Sequence, residues 1–339
     1  MSRLLCAIFC FVGLLGASAQ AQEASLQKAV EAFTAGEYDQ AINGFAALIE
    51  DGSADKTVKK EALQYLGRAY VAKRAFDDAR STIDRLLDLE PPLVELDPDD
   101  EPPSLMKLYY EVRRDYAGYE VQRPEPGMKT LAVMDFTNSS VDEKERFDPM
   151  QQGFASMMIN YLEGSTDLKV VERERIQWLL DELELQRDDG IVDQASAVRT
   201  GQLLGANAVL FGAFTVHEKQ MWISARLVKV ETGEILLAEQ IFGKRDEFFE
   251  LVEKLSDQVT EAIGVELASA GRNSEGGSGN GGQTRSLDAQ LSYSQGLGLI
   301  EQEKYQEAYD KFLEALEYDP QYADARRRAD SLRPQLAAN

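Results

Sequence analysis

Residues 201–214 read GQLLGANAVLFGAF, and their pattern predicts the class of fold. A helix predicted to run to about Leu204 is followed by Gly205, which suits the left-handed residue that ends a helix. The apolar run after Asn207 predicts a buried strand. Gly212, inside that strand, would let a neighbouring helix lie close to it. A helix that turns at a glycine into a buried strand is typical of an α/β domain.

Two more buried strands are predicted upstream of this stretch. They are TLAVMDF (130–136) and LKVVE (168–172). Between them, Met150 to Tyr161 carries apolar residues at helical spacing. The alternation of strand and helix favours parallel strands with helices on the faces of the sheet.

Downstream of this stretch, apolar residues recur at every second position instead of at helical spacing. Apolar and polar residues alternate from Met221 to Val228, and ILLAEQIF (235–242) follows as the partner of a hairpin. Gly233 lies in the turn between them, where φ > 0 is needed. A closing helix carries its apolar stripe from Phe248 to Ile263. The sequence therefore predicts an α/β domain over residues 128–269, a mixed sheet covered by helices.

An internal repeat lies on both sides of this domain. One copy starts at Leu66 (LGRAYVAKRAFDDARSTIDRLLDLEPP) and another at Gly296 (GLGLIEQEKYQEAYDKFLEALEYDP), and residues 29–50 match more loosely. Small residues would let two antiparallel helices approach, aromatic residues would fill the space beside them, and a proline would end the second helix. The spacing resembles the tetratricopeptide repeat, through Gly67, Tyr70, Phe76, Ala79 and Pro91, and through Gly296, Tyr305, Ala308, Phe312, Ala315 and Pro320.

The N-terminus reads as a cleaved secretory signal over residues 1–21. One positive charge at Arg3 is followed by an apolar run too short to span a bilayer and by the small residues of a cleavage site. Together with the repeats and the sheet pattern, this predicts five segments. They are the signal peptide (1–21), helical repeats (22–118), the α/β domain (128–269), a Gly/Ser-rich linker (270–286) and a C-terminal repeat unit with a capping helix (287–339).

Composition excludes several classes of function. Both cysteines, Cys6 and Cys10, lie in the signal, and His217 is the single histidine. No thiol chemistry, disulfide or two-histidine metal site is therefore expected. The formal charge of −23 disfavours a nucleic-acid partner. We expect no catalytic centre, no cofactor and no metal.

Several motifs in order resemble the CsgG-like family of curli assembly proteins of the bacterial envelope. They are LAVMDF (131–136), VVERERIQWLLDEL (170–183), GQLLGANAVLFGAF (201–214) and ARLVKVETGEIL (225–236). The resemblance implies the α/β fold and an envelope location. The chain departs from pore-forming members: it lacks a lipid-acceptor cysteine after the signal, and both long insertions are missing. Pore formation is therefore not carried over.

Two places in this domain are candidate sites. Arg173, just after a strand, is expected to pair with a carboxylate such as Glu182 or to bind strand-end carbonyls, which would be a structural role. The loop at residues 137–150 lines the constriction in pore-forming relatives. Here it is either a solvated surface loop or a partner-contact loop, with Asn138, Asp142 and Phe147 as the candidate contacts.

The sequence thus predicts a non-enzymatic periplasmic scaffold or assembly protein, peripheral to the outer membrane and without a bilayer-spanning segment after cleavage. Its repeats would bind envelope proteins or peptides, and the CsgG-like domain would dock or form a homo-oligomer. Two alternatives stay open: a component of a curli-type secretion channel whose pore is supplied by partners, and a regulator of cell-wall synthesis. The isolated C-terminal repeat is expected to dock on the N-terminal repeats or on a neighbouring subunit.

Overall fold

The computed structural model describes residues 20–89, 95–120, 128–162, 168–183, 194–264 and 284–337. Most of the predicted signal peptide, Pro91 and the predicted linker up to residue 283 lie outside these ranges. The chain divides into two compact units. The first comprises Met1–Asp97, Glu101–Tyr116 and Ser331–Asn339, and the second comprises Pro98–Asp100 and Ala117–Asp330.

The first unit is helical. Its helices are α1 (20–34), α2 (Tyr38–Glu50), α3 (Lys56–Ala72), α4 (Phe76–Leu89) and α5 (Pro103–Ala117). α3 packs against both α2 and α4. Phe45 of α2 stacks on Tyr65 of α3 with ring centroids 5.6 Å apart. Gly67 of α3 approaches α5 so closely that an added Cβ would lie 3.1 Å from Leu105 Cδ1.

The second unit contains the sheet and the remaining helices. In chain order these are β1 (Lys129–Val133), β2 (Thr137–Asn138), α6 (Lys144–Phe147), α7 (Met150–Leu162), β3 (Leu168–Val171), α8 (Arg173–Glu182), α9 (Gln194–Leu203), β4 (Ala208–His217), β5 (Gln220–Lys229), β6 (Ile235–Lys244), α10 (Phe248–Ile263), α11 (Leu287–Glu301), α12 (Tyr305–Tyr318) and α13 (Ala323–Ala337), whose last residues fall in the first unit.

The sheet has six strands, with the order β3-β1-β4-β5-β6 and β2 paired beside β4. β3, β1 and β4 are parallel, whereas β4, β5 and β6 form an antiparallel meander. Only Glu218 and Lys219 connect β4 to β5. The predicted α/β fold with a mixed sheet is confirmed.

Helices cover the two faces of the sheet unequally. On one face, α7 and α10 pack over the strands and build the larger core, which includes Phe154, Phe214 and Val252. On the other face, α8 and α9 build a smaller core that includes Ile176 and Phe211. That smaller core takes in β1, β3 and the first half of β4, and from β5 it includes Val228, near the end of the strand.

The C-terminal helices pack on the α/β domain itself. α11 lies against α7, and Leu291 of α11 belongs to the larger core of the sheet. An added Cβ at Gly153 of α7 would lie 1.8 Å from Ser294 Oγ of α11, so the two helices meet at a residue without a side chain. The predicted docking places were the N-terminal repeats or a neighbouring subunit. The structure instead gives α11 a docking surface on α7 of its own chain.

The residues predicted to pack the repeats mostly do so. Ala79, Ala308, Phe312 and Ala315 are fully buried, and an added Cβ at Gly296 would lie 2.5 Å from the Phe312 ring. Tyr70 and Tyr305 are half-buried, and Pro320 follows the end of α12. Phe76, the first residue of α4, packs less completely, since it is 41% exposed.

Three turns between paired helices share one backbone feature. Gly36, Arg74 and Glu303 have φ values of 78°, 57° and 57°, and each lies two residues before the aromatic residue that begins the second helix. The same turn therefore recurs in the α1–α2, α3–α4 and α11–α12 pairs. Helical hairpins are present at both ends of the chain, and their assignment as tetratricopeptide repeats stays a prediction.

This turn gives a test by substitution. Glu303→Gly should raise the free energy of unfolding by up to about 1 kcal/mol, because a non-glycine residue is disfavoured by ~1–2 kcal/mol in the left-handed region and the entropy of glycine offsets part of the gain. Chemical denaturation of the full chain measures the change. Glu303→Ala, which removes the same side chain but keeps a Cβ, is the matched control and should show no gain. If Glu303→Gly is no more stable than Glu303→Ala, the left-handed conformation assigned to residue 303 is wrong.

Candidate functional site

The parallel strands β1 and β3 end side by side, and their following segments leave in opposite directions. The chain after β1 leads to α7 on one face of the sheet, and the chain after β3 leads to α8 on the other. In open α/β sheets this arrangement opens a crevice outside the carboxyl ends of the strands, where ligands commonly bind. Asp135, two residues after β1, and Arg173, two residues after β3, face each other there.

Arg173 is the centre of this crevice. Its Nε donates to Asp135 Oδ1 at 2.9 Å and its Nη2 donates to Asp135 Oδ2 at 3.3 Å. Gln177 Nε2, one turn along α8, donates to the same Oδ2 at 3.1 Å. Arg173 also donates to the carboxylate of Glu301, the last residue of α11. The α/β domain and the C-terminal helices are thus joined by one guanidinium.

This guanidinium is almost completely shielded from water, since the side chains of Arg173 and Asp135 are only 4% and 2% exposed. Burial disfavours the charged guanidinium, but the adjacent carboxylates of Asp135 and Glu301 outweigh it, so the pKa of Arg173 lies above its ordinary value. The cation is permanent, and its role here is to hold two carboxylates from distant parts of the chain.

The expected pairing of Arg173 with Glu182 is wrong. Both residues lie on α8, and nine helical residues separate them by roughly 13 Å along the axis. The partners are Asp135 and Glu301, which lie 38 and 128 residues away in sequence.

A cleft of ≈ 570 Å³ adjoins this centre, between the start of α7 and the helices α11 and α12. Gln152 connects the two features, because it lines the cleft and donates to Glu301 Oε2 at 3.5 Å. Four of its twelve lining residues are glutamines: Gln151 and Gln152 come from α7, and Gln295 and Gln302 come from α11 or follow it. Their amides supply hydrogen-bond donors and acceptors to the cleft.

Charged groups also line the cleft. Glu145, Asp148 and Glu307 contribute carboxylates, and Lys311 contributes the cation. Lys311 Nζ lies 2.5 Å from Glu314 Oε2, so its charge is balanced by a neighbour on α12. Asp148 Oδ1 accepts a hydrogen bond from Asn138 Nδ2 at 2.8 Å, which fixes the rim of the cleft to the sheet.

The loop at residues 137–150 is in part a surface loop, since residues 141–146 are exposed, but two of its three candidate contacts are buried. Phe147 is fully buried in the larger core and Asn138 is 5% exposed, so neither is a surface contact. Asn138 holds the loop together by donating to Lys144 O at 3.0 Å and to Asp148. Asp142 is exposed, and its Oδ2 lies 2.5 Å from Nδ1 of His217. Glu145 and Asp148 of this loop line the cleft.

The predicted glycines have distinct roles. Gly205 and Gly233 have φ values of 65° and 71°, at the end of α9 and in the β5–β6 turn. Gly212 was expected to let a neighbouring helix lie close to its strand. Its close neighbours are instead the adjacent strand and an aromatic ring, because an added Cβ would lie 2.2 Å from Ser224 O and 2.6 Å from Phe136 Cε1.

A second charged cluster, which the sequence analysis missed, lies elsewhere in the same unit. Arg328 of α13 donates to Glu174 of α8, its Nε lies 2.7 Å from Asp99 Oδ1, and its Nη1 donates to Pro98 O at 2.9 Å. Arg327 donates to Asp99 Oδ2 at 2.6 Å. Burial disfavours the charged form of Glu174, but Arg328 and Arg173 outweigh it and hold its pKa below the usual range.

Compared with the pKa of Glu174, the pKa of Asp99 is shifted in the opposite direction. Burial raises its pKa to about 6, against the pull of Arg328 and Arg327. Between about pH 4 and pH 6 the folded chain therefore holds a proton that the unfolded chain has lost. This group consequently adds stability as the pH falls through about 6, and that contribution disappears as the pH rises.

Denaturation of the wild-type chain and of Asp99→Asn at pH 5 and pH 7 tests this sign. Relative to the variant, the wild type should gain on the order of 1–2 kcal/mol between pH 7 and pH 5, less than the full shift implies because the carboxylate is 16% exposed. Asp99→Asn has no carboxyl group to titrate at this position. Its change in stability between the two pH values is therefore the baseline against which the wild type is compared. If the wild type instead lost stability relative to Asp99→Asn at pH 5, Arg327 and Arg328 would outweigh burial and the pKa of Asp99 would be lowered.

In the ranges that the structure covers, no group of three or more His, Cys, Asp or Glu side chains is placed to hold a metal ion. Within the same ranges, no helix combines the length and the apolar composition of a membrane span. Arg173 and its carboxylates therefore form a buried ion-pair centre beside the cleft.

The model of one protein family matches the centre of the chain. The family is described as the curli production assembly/transport component CsgG, and the match covers residues 119–222. The central domain is CsgG-like. The match includes Asp135 and Arg173 and covers less than half of the chain, so the flanking helical units lie outside it. None of the curated proteins compared with the chain matches it.

Solved structures resemble the chain over part of its length. The C-terminal domain of LpoB from Salmonella enterica is 15% identical with a TM-score of 0.30, over 41% of this chain and 96% of that one. Lipoprotein GNA1162 from Neisseria meningitidis is 16% identical with a TM-score of 0.28, over 41% and 99%. The PelC dodecamer from Paraburkholderia phytofirmans is 12% identical with a TM-score of 0.26, over 43% and 95%. At these TM-scores the similarities support no statement about function.

Proposed function

We propose that this chain is a non-enzymatic scaffold or assembly protein of the bacterial envelope. The CsgG family match at residues 119–222 supports an assembly role, since the family is described as an assembly and transport component. The predicted secretory signal supports a periplasmic location, peripheral to the outer membrane. The buried charges of the central domain pair with one another, which is a structural arrangement rather than a catalytic one.

The cleft beside Arg173 is the observation that carries the proposal. It exists because α11 packs on α7, and because Arg173 ties Glu301 of α11 to Asp135 of the sheet. A partner segment that enters it would contact the CsgG-like domain and the C-terminal helices together. The C-terminal unit therefore completes a binding surface that the central domain alone lacks.

The short connection between β4 and β5 favours this scaffold over a channel component. Pore-forming members of the family that the sequence resembles insert a long hairpin between these two strands, whereas here two residues, Glu218 and Lys219, join them. A role in secretion would then depend on a pore supplied by a partner.

Site-specific photocrosslinking in intact cells tests the proposal. A photoreactive residue in place of Glu307, which lines the cleft, should give one defined adduct. The same residue at Glu317, exposed on the same helix but outside the cleft, is the matched control and should give none. A second cleft position, Gln295, should capture the same partner as Glu307. Adducts of equal yield at Glu307 and Glu317, or no adduct at either cleft position, would overturn the assignment of the cleft.

A further inference from the structure

The outer strand β6 has a free edge. One side of its ten residues pairs with β5, and none of the strands in the described ranges pairs with its other side. Ile235, Leu236 and Phe242 of this strand are 48%, 36% and 63% exposed, and they rank among the large apolar residues that the described surface exposes. A long edge strand with exposed apolar side chains is a template for pairing with another strand.

The sheet face beside this edge is also uncovered. The register places Trp222 next to Phe242, Ser224 next to Gln240 and Arg226 next to Ala238, all on the face away from α10. These six residues, which we call the β5–β6 face, are exposed except for the half-buried Trp222. The Trp222 and Phe242 rings pack with centroids 5.9 Å apart. The core under α8 and α9 includes none of the six.

The charge of this face is opposite to that of the whole protein. The chain has 59 acidic and 36 basic residues, yet the β5–β6 face contains no carboxylate and one cation, Arg226. Lys244 continues the same alternation at the end of β6. The acidic residue within β6, Glu239, pairs with the buried Ala225 and so lies on the side of the larger core.

β6 carries some of the protections of a natural edge strand and lacks others. It contains no proline and its lysine lies at its last position, but Glu239 points to the covered side and a register shift between Leu227 and Val228 lies opposite its start. Natural edge strands use inward-pointing charges and bulges to prevent pairing. Around Phe242, beyond Glu239, β6 has neither feature, so this half of the edge can accept a partner strand.

We propose that the β6 edge and the β5–β6 face take up an extended segment of a partner protein as an added strand, and that this segment alternates acidic and apolar residues. Main-chain hydrogen bonds to β6 supply the pairing. On this face, acidic side chains lie near Arg226, and apolar side chains lie beside Phe242 and Leu236. Lys244 is already paired, because its Nζ donates to Glu247 Oε1 at 2.8 Å. This surface is separate from the cleft at Arg173, and either assignment can fail without the other.

The test uses a fluorescent ten-residue peptide that alternates glutamate with valine and phenylalanine, titrated against the full chain by anisotropy. A chain of charge −23 repels an anionic peptide over most of its surface, so binding reports a local site. Arg226→Glu should weaken binding at least tenfold, and Phe242→Ser should do the same. Lys254→Glu, an exposed lysine of α10 on the opposite face, is the matched control and should change the affinity less than twofold.

Each other outcome overturns the proposal. If the wild type fails to bind the peptide, the edge is closed to an acidic strand. If Arg226→Glu and Lys254→Glu weaken binding equally, the peptide binds through diffuse charge. If the wild type instead self-associates and Phe242→Ser abolishes that association, the occupant is a second copy of the chain. The three variants change exposed side chains, and denaturation curves verify that each is folded.

Discussion

Replacing Arg173 by methionine should lower the free energy of unfolding of the second unit by about 3–5 kcal/mol, the usual range when one partner of a buried ion pair is removed. The reason is that the Asp135 carboxylate, at 2% exposure, would lose the guanidinium that balances its charge, and Glu301 would lose its contact with Arg173. Methionine retains most of the volume of the arginine side chain. The loss of stability is therefore due to the missing charge and not to a cavity. Urea denaturation followed by circular dichroism measures it.

Arg285→Met is the control for this change. The Arg285 guanidinium is 43% exposed and lies 3.6 Å from Glu253 and 3.7 Å from Glu250, so its removal should cost less than about 1 kcal/mol. Adding Asp135→Leu to Arg173→Met should restore part of the stability, because the buried carboxylate is then gone as well. A loss below 1 kcal/mol for Arg173→Met would contradict the assignment of Arg173 as the centre of the site.

Replacing Gly153 by alanine should destabilise the contact between α7 and α11. Alanine is normally better than glycine inside a helix by about 1 kcal/mol, so a loss of stability here is diagnostic. The added Cβ would lie 1.8 Å from Ser294 Oγ and 2.8 Å from Ser294 Cβ, and the helices must separate to relieve the clash. Overpacking of this kind costs about 1–3 kcal/mol. The free energy of unfolding and the rate of proteolysis near residue 284 should both report it.

Gly298→Ala is the matched substitution on the other helix. Its added Cβ would meet nothing nearer than Gln152 Nε2 at 3.9 Å, so this variant should be neutral or more stable by up to about 1 kcal/mol. Ser294→Gly, introduced into Gly153→Ala, should recover much of the loss. If Gly153→Ala alone is as stable as the wild type, the close packing of α7 and α11 is wrong.

Local sequence patterns predicted five of the six strands. The strands at 129–133, 168–171 and 208–217 lie within three residues of the predicted runs, because buried strands read as short apolar segments between helical stripes. The two-residue strand β2 was not predicted, since it lies in the polar loop at residues 137–150. The hairpin from β5 to β6 followed from alternation of period two around Gly233. These signals are local, and the matched CsgG motifs add their order along the chain.

The partners of Arg173 could not be predicted in the same way. Asp135 and Glu301 lie 38 and 128 residues from it, and only the strand order and the docking of α11 bring them together. Phe147 was misread for a related reason. It is the lone aromatic residue of a polar segment, and burial of such a residue depends on the core into which the segment folds. The small residues Ser294, Gly296 and Gly298 on α11 were the available signal for close helix packing.

Cleavage within the predicted linker tests whether the C-terminal helices stay packed on the CsgG-like domain and complete the cleft. A protease site is inserted between Gly276 and Gly277, the chain is cut, and the products are analysed by size exclusion and denaturation. We expect the two fragments to co-elute at the mass of the intact chain and the Glu307 photocrosslink to the partner to be retained. Separation of a folded fragment from residue 277 onward, with the remainder still folded, would contradict this expectation.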